Sequence, residues 1–346
     1  MTIIWFILIL GVIILVHEFG HFIFAKWAGV YVYEFSIGMG PKIFSKKGKN
    51  GETEYCIRAI PLGGFVSLAG EEVDDDKKVA KDRKLYNKSF IQRFLIMFAG
   101  AMNNFILCFV LLLVSAFIYG SVSLKPVVSS VNEEYPAYEA GIKAGDTIIS
   151  INGDKVSSWN EVQLLIQTAK GKELEIVIKG EDGKKRNVTL TPEKLENEDG
   201  TTSYIVGVGM RGKVKKGFIP SVKYAFETTG SLFKLMIVTV KELFTGGVAV
   251  KELSGPVGIY SVVGEQAKQG IQSILYLISF LSINVGVINL IPFPAFDGGR
   301  ILFLIIEKIT RKSIPTNVEN TINSIGFLLL LALMLYVTFN DILRLF

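Results

Sequence analysis

Residues 2 to 25 form an almost wholly apolar run, long enough as a helix to cross a hydrocarbon core about 30 Å thick. Three further runs share that character: Phe94 to Tyr119, Ile271 to Leu290 with a resumption at Ile301 to Ile306, and Ile325 to Val337. In lipid every backbone polar group must be satisfied inside the segment, so such runs are read as helices. The expected fold class is a polytopic α-helical membrane protein with about four transmembrane helices. The start carries no basic leader and no small-residue cleavage site, which makes a cleaved signal peptide the weaker reading. Phe233 to Val240 is apolar but short and has Lys234 and Lys241 at its ends, so it predicts an amphipathic helix lying at the membrane interface.

Charge supplies the orientation. The loop from Lys26 to Arg93 is rich in Lys and Arg, and Arg300, Lys308, Arg311 and Lys312 fall between the last two spans. The positive-inside rule makes both loops cytoplasmic, which leaves the termini and the section from Ser121 to about Gly270 on the outer face of the cell membrane. The net charge of +5 is not gathered into a basic patch interleaved with aromatics, so lipid rather than nucleic acid is the expected surrounding. Cys56 and Cys108 lie far apart and form no CxxC, so neither a disulfide framework nor a sulfur metal site is expected.

The outer section breaks into short strand patterns at Pro126 to Val131, Asp146 to Ile151, Glu173 to Ile178 and Asn187 to Leu190. Asn152-Gly153 and Asp182-Gly183 are hairpin turn signals. Trp159 to Ala169 has helical spacing. These patterns predict an inserted α+β domain. The run Pro136-Ala-Tyr-Glu-Ala-Gly-Ile-Lys-Ala-Gly-Asp146 with Ile148-Ile-Ser-Ile-Asn-Gly153 resembles the PDZ family in its strand-permuted bacterial form. That resemblance implies a groove bordered by Tyr204 to Val208 that takes a peptide end by strand addition. The expected divisions are 1–120, a first membrane half; 121–213, the PDZ domain; 214–270, an amphipathic connector at the outer surface; and 271–346, a second membrane half.

The chain's two histidines, His17 and His21, stand four apart with Glu18 after the first, giving HExxH inside the first span. On a helix both imidazoles share one face, where they can hold one ion, and Glu18 lies close enough to reach a water at that ion. Charged side chains within a span cost about 2.5 to 3.5 kcal/mol each, so an idle cluster of three is a poor explanation. A hydrolytic zinc site takes three protein ligands and keeps one position open. With no third histidine, the remaining ligand is expected to be a carboxylate at membrane depth. Asp297, in Asn289-Leu-Ile-Pro-Phe-Pro-Ala-Phe-Asp297-Gly-Gly-Arg300, is a candidate because Pro292 and Pro294 must interrupt the third span there. The competing reading is a helix end that emerges at the cytoplasmic surface with Asp297 simply solvated.

These motifs together resemble the bacterial site-2 proteases, intramembrane zinc metalloproteases that include the regulator-of-sigma-factor proteases. The resemblance also rests on Phe35-Ser-Ile-Gly-Met-Gly-Pro41, Ile60-Pro-Leu-Gly-Gly-Phe65, Gly100-Ala-Met-Asn-Asn104 and Leu253-Ser-Gly-Pro-Val-Gly-Ile259. It implies a Zn2+ cofactor held by His17, His21 and Asp297, Glu18 as catalytic base, and Asn104 and Asn289 as polar groups near the substrate. Substrates implied are single-span membrane proteins such as anti-sigma factors, remnant signal peptides or pheromone precursors. Ala101 stands where the family's GPxxN motif has proline, which leaves Asn103 as an alternative to Asn104; Met39 and Phe296 are milder departures.

In the family, a segment like Ile57 to Leu68, with its Gly63-Gly64 pair, is a membrane-dipping hairpin that binds unwound substrate by strand addition. A soluble cytoplasmic hairpin is the competing reading. The acidic run Glu71, Glu72, Asp74, Asp75 and Asp76 reads as solvated linker. The rival from another class is a membrane-anchored PDZ adaptor or a metal-handling protein with a non-proteolytic metal site. A structural zinc normally closes with four protein ligands, and the visible set of three with Glu18 beside it favours the enzyme.

Overall fold

A computed structural model describes residues 1–49, 51–71, 79–196, 202–210, 214–246, 250 and 253–344. Glu72, Asp74, Asp75 and Asp76 of the acidic run lie outside the described residues, as do 197–201 and 211–213 of the expected PDZ section. Residues 247–249, 251 and 252 of the connector do so as well. Two compact units emerge, one of Met1–Leu111 with Ser254–Leu343 and one containing Leu112–Leu253.

The first unit is mostly helical. Helix α1 (Thr2–Trp27) buries Ile9, Ile13, His17 and Gly20. That spacing of four, four and three puts them on one stripe. Ile4, Leu8, Val12, Phe19 and Ile23 are exposed, as suits a helix with lipid on one side. Helix α2 (Phe90–Tyr119) follows a long hairpin and is in turn followed by the inserted unit; α6 (Pro256–Gln269), α7 (Ile271–Leu290), α8 (Asp297–Thr310) and α9 (Thr316–Leu343) complete the unit. Among the described residues α1, α2, α7 and the 317–343 stretch of α9 are long and apolar enough to cross a membrane. On α9, Phe327, Leu328, Leu335 and Tyr336 are all more than half exposed.

The break expected in the third span is present: α7 ends at Leu290, and the apolar run 301–306 lies in a new helix, α8, that starts at Asp297. Pro292 and Pro294 supply no N–H and crowd the preceding turn, so the helix cannot run through them. The 254–270 part of the expected outer connector instead belongs to the helical unit. Val263 of α6 joins Ile9, Ile13, Ile274 and Leu277 in one buried cluster, so α6 is held by apolar partners from α1 and α7.

The hairpin consists of β1 (Val32–Lys47) and β2 (Glu54–Leu68), each folded back on itself. Phe35 has Val66 as partner on one side and Tyr55 on the other, while Tyr55 also partners Lys46. The result is a sheet four segments wide in which Gly64 to Leu68 is a margin, paired to β1 alone among the described residues.

The inserted unit contains β3 (Ser121–Val122), β4 (Val128–Val131), α3 (Pro136–Glu139), β5 (Thr147–Ile151), β6 (Asp154–Lys155), α4 (Trp159–Ala169), β7 (Leu174–Lys179) and β8 (Lys185–Leu190). It continues with β9 (Glu193–Glu196), β10 (Thr202–Ile205), β11 (Val208–Met210), β12 (Val214–Lys215) and α5 (Phe218–Thr245). Its main sheet runs β6-β5-β7-β8, and β11 pairs with β4. Leu174, Ile176 and Ile178 alternate inward along β7 and meet Trp159, Val162 and Ile166 of α4 in one core, the period of two against the period of about three and a half. Ser158 caps α4 by accepting the Glu161 N–H. A groove of about 280 Å³ runs between α4 and residues 204–208, walled by Val162, Ile166, Tyr204 and Val208.

Helix α5 is far longer than the expected Phe233 to Val240, because its buried stripe is small and polar: Ser221, Ala225, Thr228 and Ser231, with Leu232. Ser231 Oγ donates to Ser158 Oγ at 2.7 Å, and Lys234 Nζ lies 2.6 Å from Glu161 Oε2. Burial pushes the Glu161 carboxyl up, but Lys234 and the hydrogen bonds from Ser157 outweigh it and hold the group below the usual carboxylate range. A lowered value means that the carboxylate stabilises the fold at every pH above its unfolded value, about 4.3. That contribution is lost as pH falls through the native value. Glu161→Gln is therefore expected to destabilise the protein by about 1–2 kcal/mol at pH 7, discounted because Lys234 is half exposed. In melts of parent and variant, the gap should close as pH is lowered from about 5 towards 2.

Candidate metal centre

Helix α1 presents His17 and His21 one turn apart, and the first residue of α8 presents Asp297. His17 Nε2 lies 3.2 Å from Asp297 Oδ2, His21 Nε2 lies 3.4 Å from it, and the two Nε2 atoms are 3.2 Å apart. Ligand atoms bound at about 2.0–2.1 Å by a tetrahedral zinc sit about 3.3–3.4 Å from one another. The triangle therefore has the edge length of one tetrahedral face.

His21 Nδ1 lies 2.8 Å from the Ile96 carbonyl oxygen, so Nδ1 carries a proton, and in the neutral ring this leaves Nε2 as the atom that can bind a metal. That nitrogen faces the buried Asp297 Oδ2. A donor set of two imidazoles and a carboxylate suits zinc. His17, His21 and Asp297 are thus the residues that could hold the metal, and they leave one direction free.

The approach of α2 to α1 makes room for the rings. A Cβ on Gly100 would lie 2.7 Å from His17 Cε1 and 2.8 Å from His17 Nε2, and a Cβ on Gly20 would collide with the Ala99 carbonyl. Both positions are glycine because the two helices touch there with nothing between backbone and ring.

The triangle opens on a cavity of about 370 Å³ whose wall includes Glu18, Phe65, Val66, Leu68, Asn289 and Arg300. Arg300 pairs across this wall with Glu71. Of the residues singled out in the sequence, His17, Glu18, His21 and Asp297 come together, and Asn289 stands on the cavity wall. Asn104 does not: it is fully buried, with Nδ2 3.3 Å from His17 Nδ1, behind the ring rather than in the cavity. Asn103 instead donates to the Val16 carbonyl at 3.2 Å. Gly64 sits beside Glu18, where a Cβ would be 3.8 Å from Glu18 Cγ, and Gly63 adjoins Met39 and Ile14. Neither glycine is part of the cavity wall.

Sequence reasoning missed the Ile96 carbonyl, the part Gly100 plays beside the rings and the Glu71–Arg300 pair. The spacing Ile96, Gly100, Asn104 was the available signal, since it repeats at four the spacing of the two histidines. Gly100→Val is expected to displace both rings and cut bound zinc to a small fraction of one per chain, read by elemental analysis of the purified protein. Stoichiometric zinc in that variant would mean that the helices separate without harm to the site.

The chain matches the model of peptidase family M50 over residues 5–333. A relative from Clostridium perfringens that bears a zinc metalloprotease name is 40% identical over 99% of this chain and 98% of its own length. The regulator of sigma-W protease RasP of Bacillus subtilis is 35% identical over 100% of this chain and 99% of its own, and the zinc metalloprotease RasP of Bacillus licheniformis is 34% identical with the same coverage. The chain therefore belongs to peptidase family M50, and is a multi-pass membrane protein and zinc metalloendopeptidase of the site-2 protease type.

Proposed function

We propose that this protein hydrolyses peptide bonds within the transmembrane segments of single-span membrane proteins, with Glu18 as the catalytic base and His17, His21 and Asp297 as the zinc ligands. The observation that carries the reading is the triangle of donor atoms, with tetrahedral edges, opening on a cavity that also holds Glu18. Zinc bound there supplies a Lewis acid that polarises a peptide carbonyl and brings the pKa of its water towards about 7. The Glu18 carboxylate takes the proton of the attacking water and returns it to the leaving nitrogen, so the base ends the cycle as it began.

A helical substrate hides its carbonyls in backbone hydrogen bonds and must unwind before attack. The sheet margin supports this step, since Phe65, Val66 and Leu68 of β2 lie on the cavity wall and an extended chain can add to such a margin through main-chain bonds. Asn289 on the same wall offers an amide to the unwound backbone. The relative named for sigma-W regulation points to anti-sigma factors as one substrate class, with remnant signal peptides as another. Charge in the loops supports the cytoplasmic membrane as the location, with the active site towards the cytoplasm. The inserted unit is read as a PDZ domain on the outer side, with the groove between α4 and residues 204–208 as the place for a trimmed peptide end.

The test is a Glu18→Gln strain and protein. Zinc per chain should equal the parent's, while turnover of a membrane peptide that accumulates in the variant strain should fall about 10²- to 10⁴-fold. Retained cleavage would assign the base elsewhere, and loss of zinc would make Glu18 a ligand.

A further inference from the structure

We propose that Asn104 is a positioning residue for the metal centre: its amide oxygen accepts the Nδ1–H of His17 and so keeps His17 Nε2 unprotonated and aimed at the metal. This role rests on the ligand set proposed above.

Each histidine needs one outer partner. A metal on Nε2 leaves the ring's single proton on Nδ1, and that proton requires an acceptor, which fixes both tautomer and ring orientation. For His21 the acceptor is the Ile96 carbonyl oxygen at 2.8 Å. For His17 the group within reach of Nδ1 is the side chain of Asn104, at 3.3 Å. Asn104 is 0% exposed, and its Oδ1 is buried without a partner. The two ends of an amide have nearly the same shape, so a half-turn brings the unpartnered oxygen to Nδ1 with no other movement.

Helix α2 is built to serve both rings. Ile96, Gly100 and Asn104 follow one another at intervals of four, on one face, against His21 and His17 at the same interval on α1. The carbonyl meets one ring, the glycine gives both rings room, and the amide meets the other ring. Neighbouring bonds hold that register: Asn103 Nδ2 donates to the Val16 carbonyl at 3.2 Å, and Ser282 Oγ donates to the Asn104 carbonyl at 2.9 Å. The two adjacent asparagines therefore divide the work. Asn103 ties the helices together, and Asn104 serves the ligand without touching substrate.

Zinc dissociation constants, measured by chelator competition on full-length detergent-solubilised protein, decide the matter. Asn104→Leu, which fills the space without an acceptor, should weaken zinc 10- to 100-fold. The melting temperature of its metal-free form should not fall, and KM at saturating zinc should not change. Asn104→Asp, which keeps an acceptor, should bind zinc at least as tightly as the parent. If Asn104→Leu does not fold, Asn104→Ser takes its place, because its shorter side chain stops short of Nδ1. Parental zinc affinity in the Leu or Ser variant, or an Asp variant as weak as those, overturns the proposal, as does a raised KM, which would return Asn104 to substrate binding. His17→Ala is measured alongside. Unchanged affinity in that variant would instead mean that the ligand set itself is wrong.

Discussion

Two imidazole nitrogens and an Asp297 carboxylate oxygen converge, each within 3.4 Å of the others, at the edge lengths of one face of a tetrahedral site. In a helical core with low dielectric, such a cluster is costly unless its charge is compensated, and a divalent cation at its centre compensates it. The rest of the helical unit is organised around that requirement. Helix α1 provides two donors on its inward stripe, the proline-broken end of α7 frees the chain to restart as α8 at Asp297, and α2 comes close enough to buttress the rings. Metal binding and helix packing are therefore one problem, solved by the same contacts.

The cleft beside the metal combines elements from well-separated stretches of the chain. The margin of the folded-back hairpin, the end of α7 with Asn289 and the first turn of α8 all contribute to its wall. Irregular backbone at 291–296 is tolerated at membrane depth only where it lines a cavity or is buried in protein, and here it does the former at Ala295 and Phe296. The Glu71–Arg300 pair crosses the same wall, so the cleft is polar on one flank and apolar on the other.

Much of the candidate metal site was legible in the sequence. His17 and His21 are the chain's histidines, and a spacing of four can only mean one helical face. Asp297 stood out because acids are scarce at that depth and two prolines precede it. Helix α4 was read to its ends, since Ser158 caps its start and Lys170, with φ of 51°, stops it. The PDZ-like strands carried period-two alternation and Asn-Gly or Asp-Gly turns, both local signals. What escaped depends on distant partners. The double pairing of Phe35 with Tyr55 and Val66 leaves no periodic trace in either strand. The place of α6 is fixed by Ile9, Ile13 and Leu277, and the direction of Asn104 by the register in which Gly20 meets Ala99. The length of α5 went unseen because its buried face is serine, threonine and alanine, which hydropathy does not mark.

The most direct measurement is the zinc content of purified Asp297→Asn protein beside that of the parent, by elemental analysis after exhaustive dialysis. Asparagine keeps the size of the side chain and removes the negative oxygen that faces both Nε2 atoms. The parent is expected to hold one zinc per chain and the variant far less than one. Full occupancy in the variant would show that the third ligand lies elsewhere, and the convergence of His17, His21 and Asp297 would then need another cause.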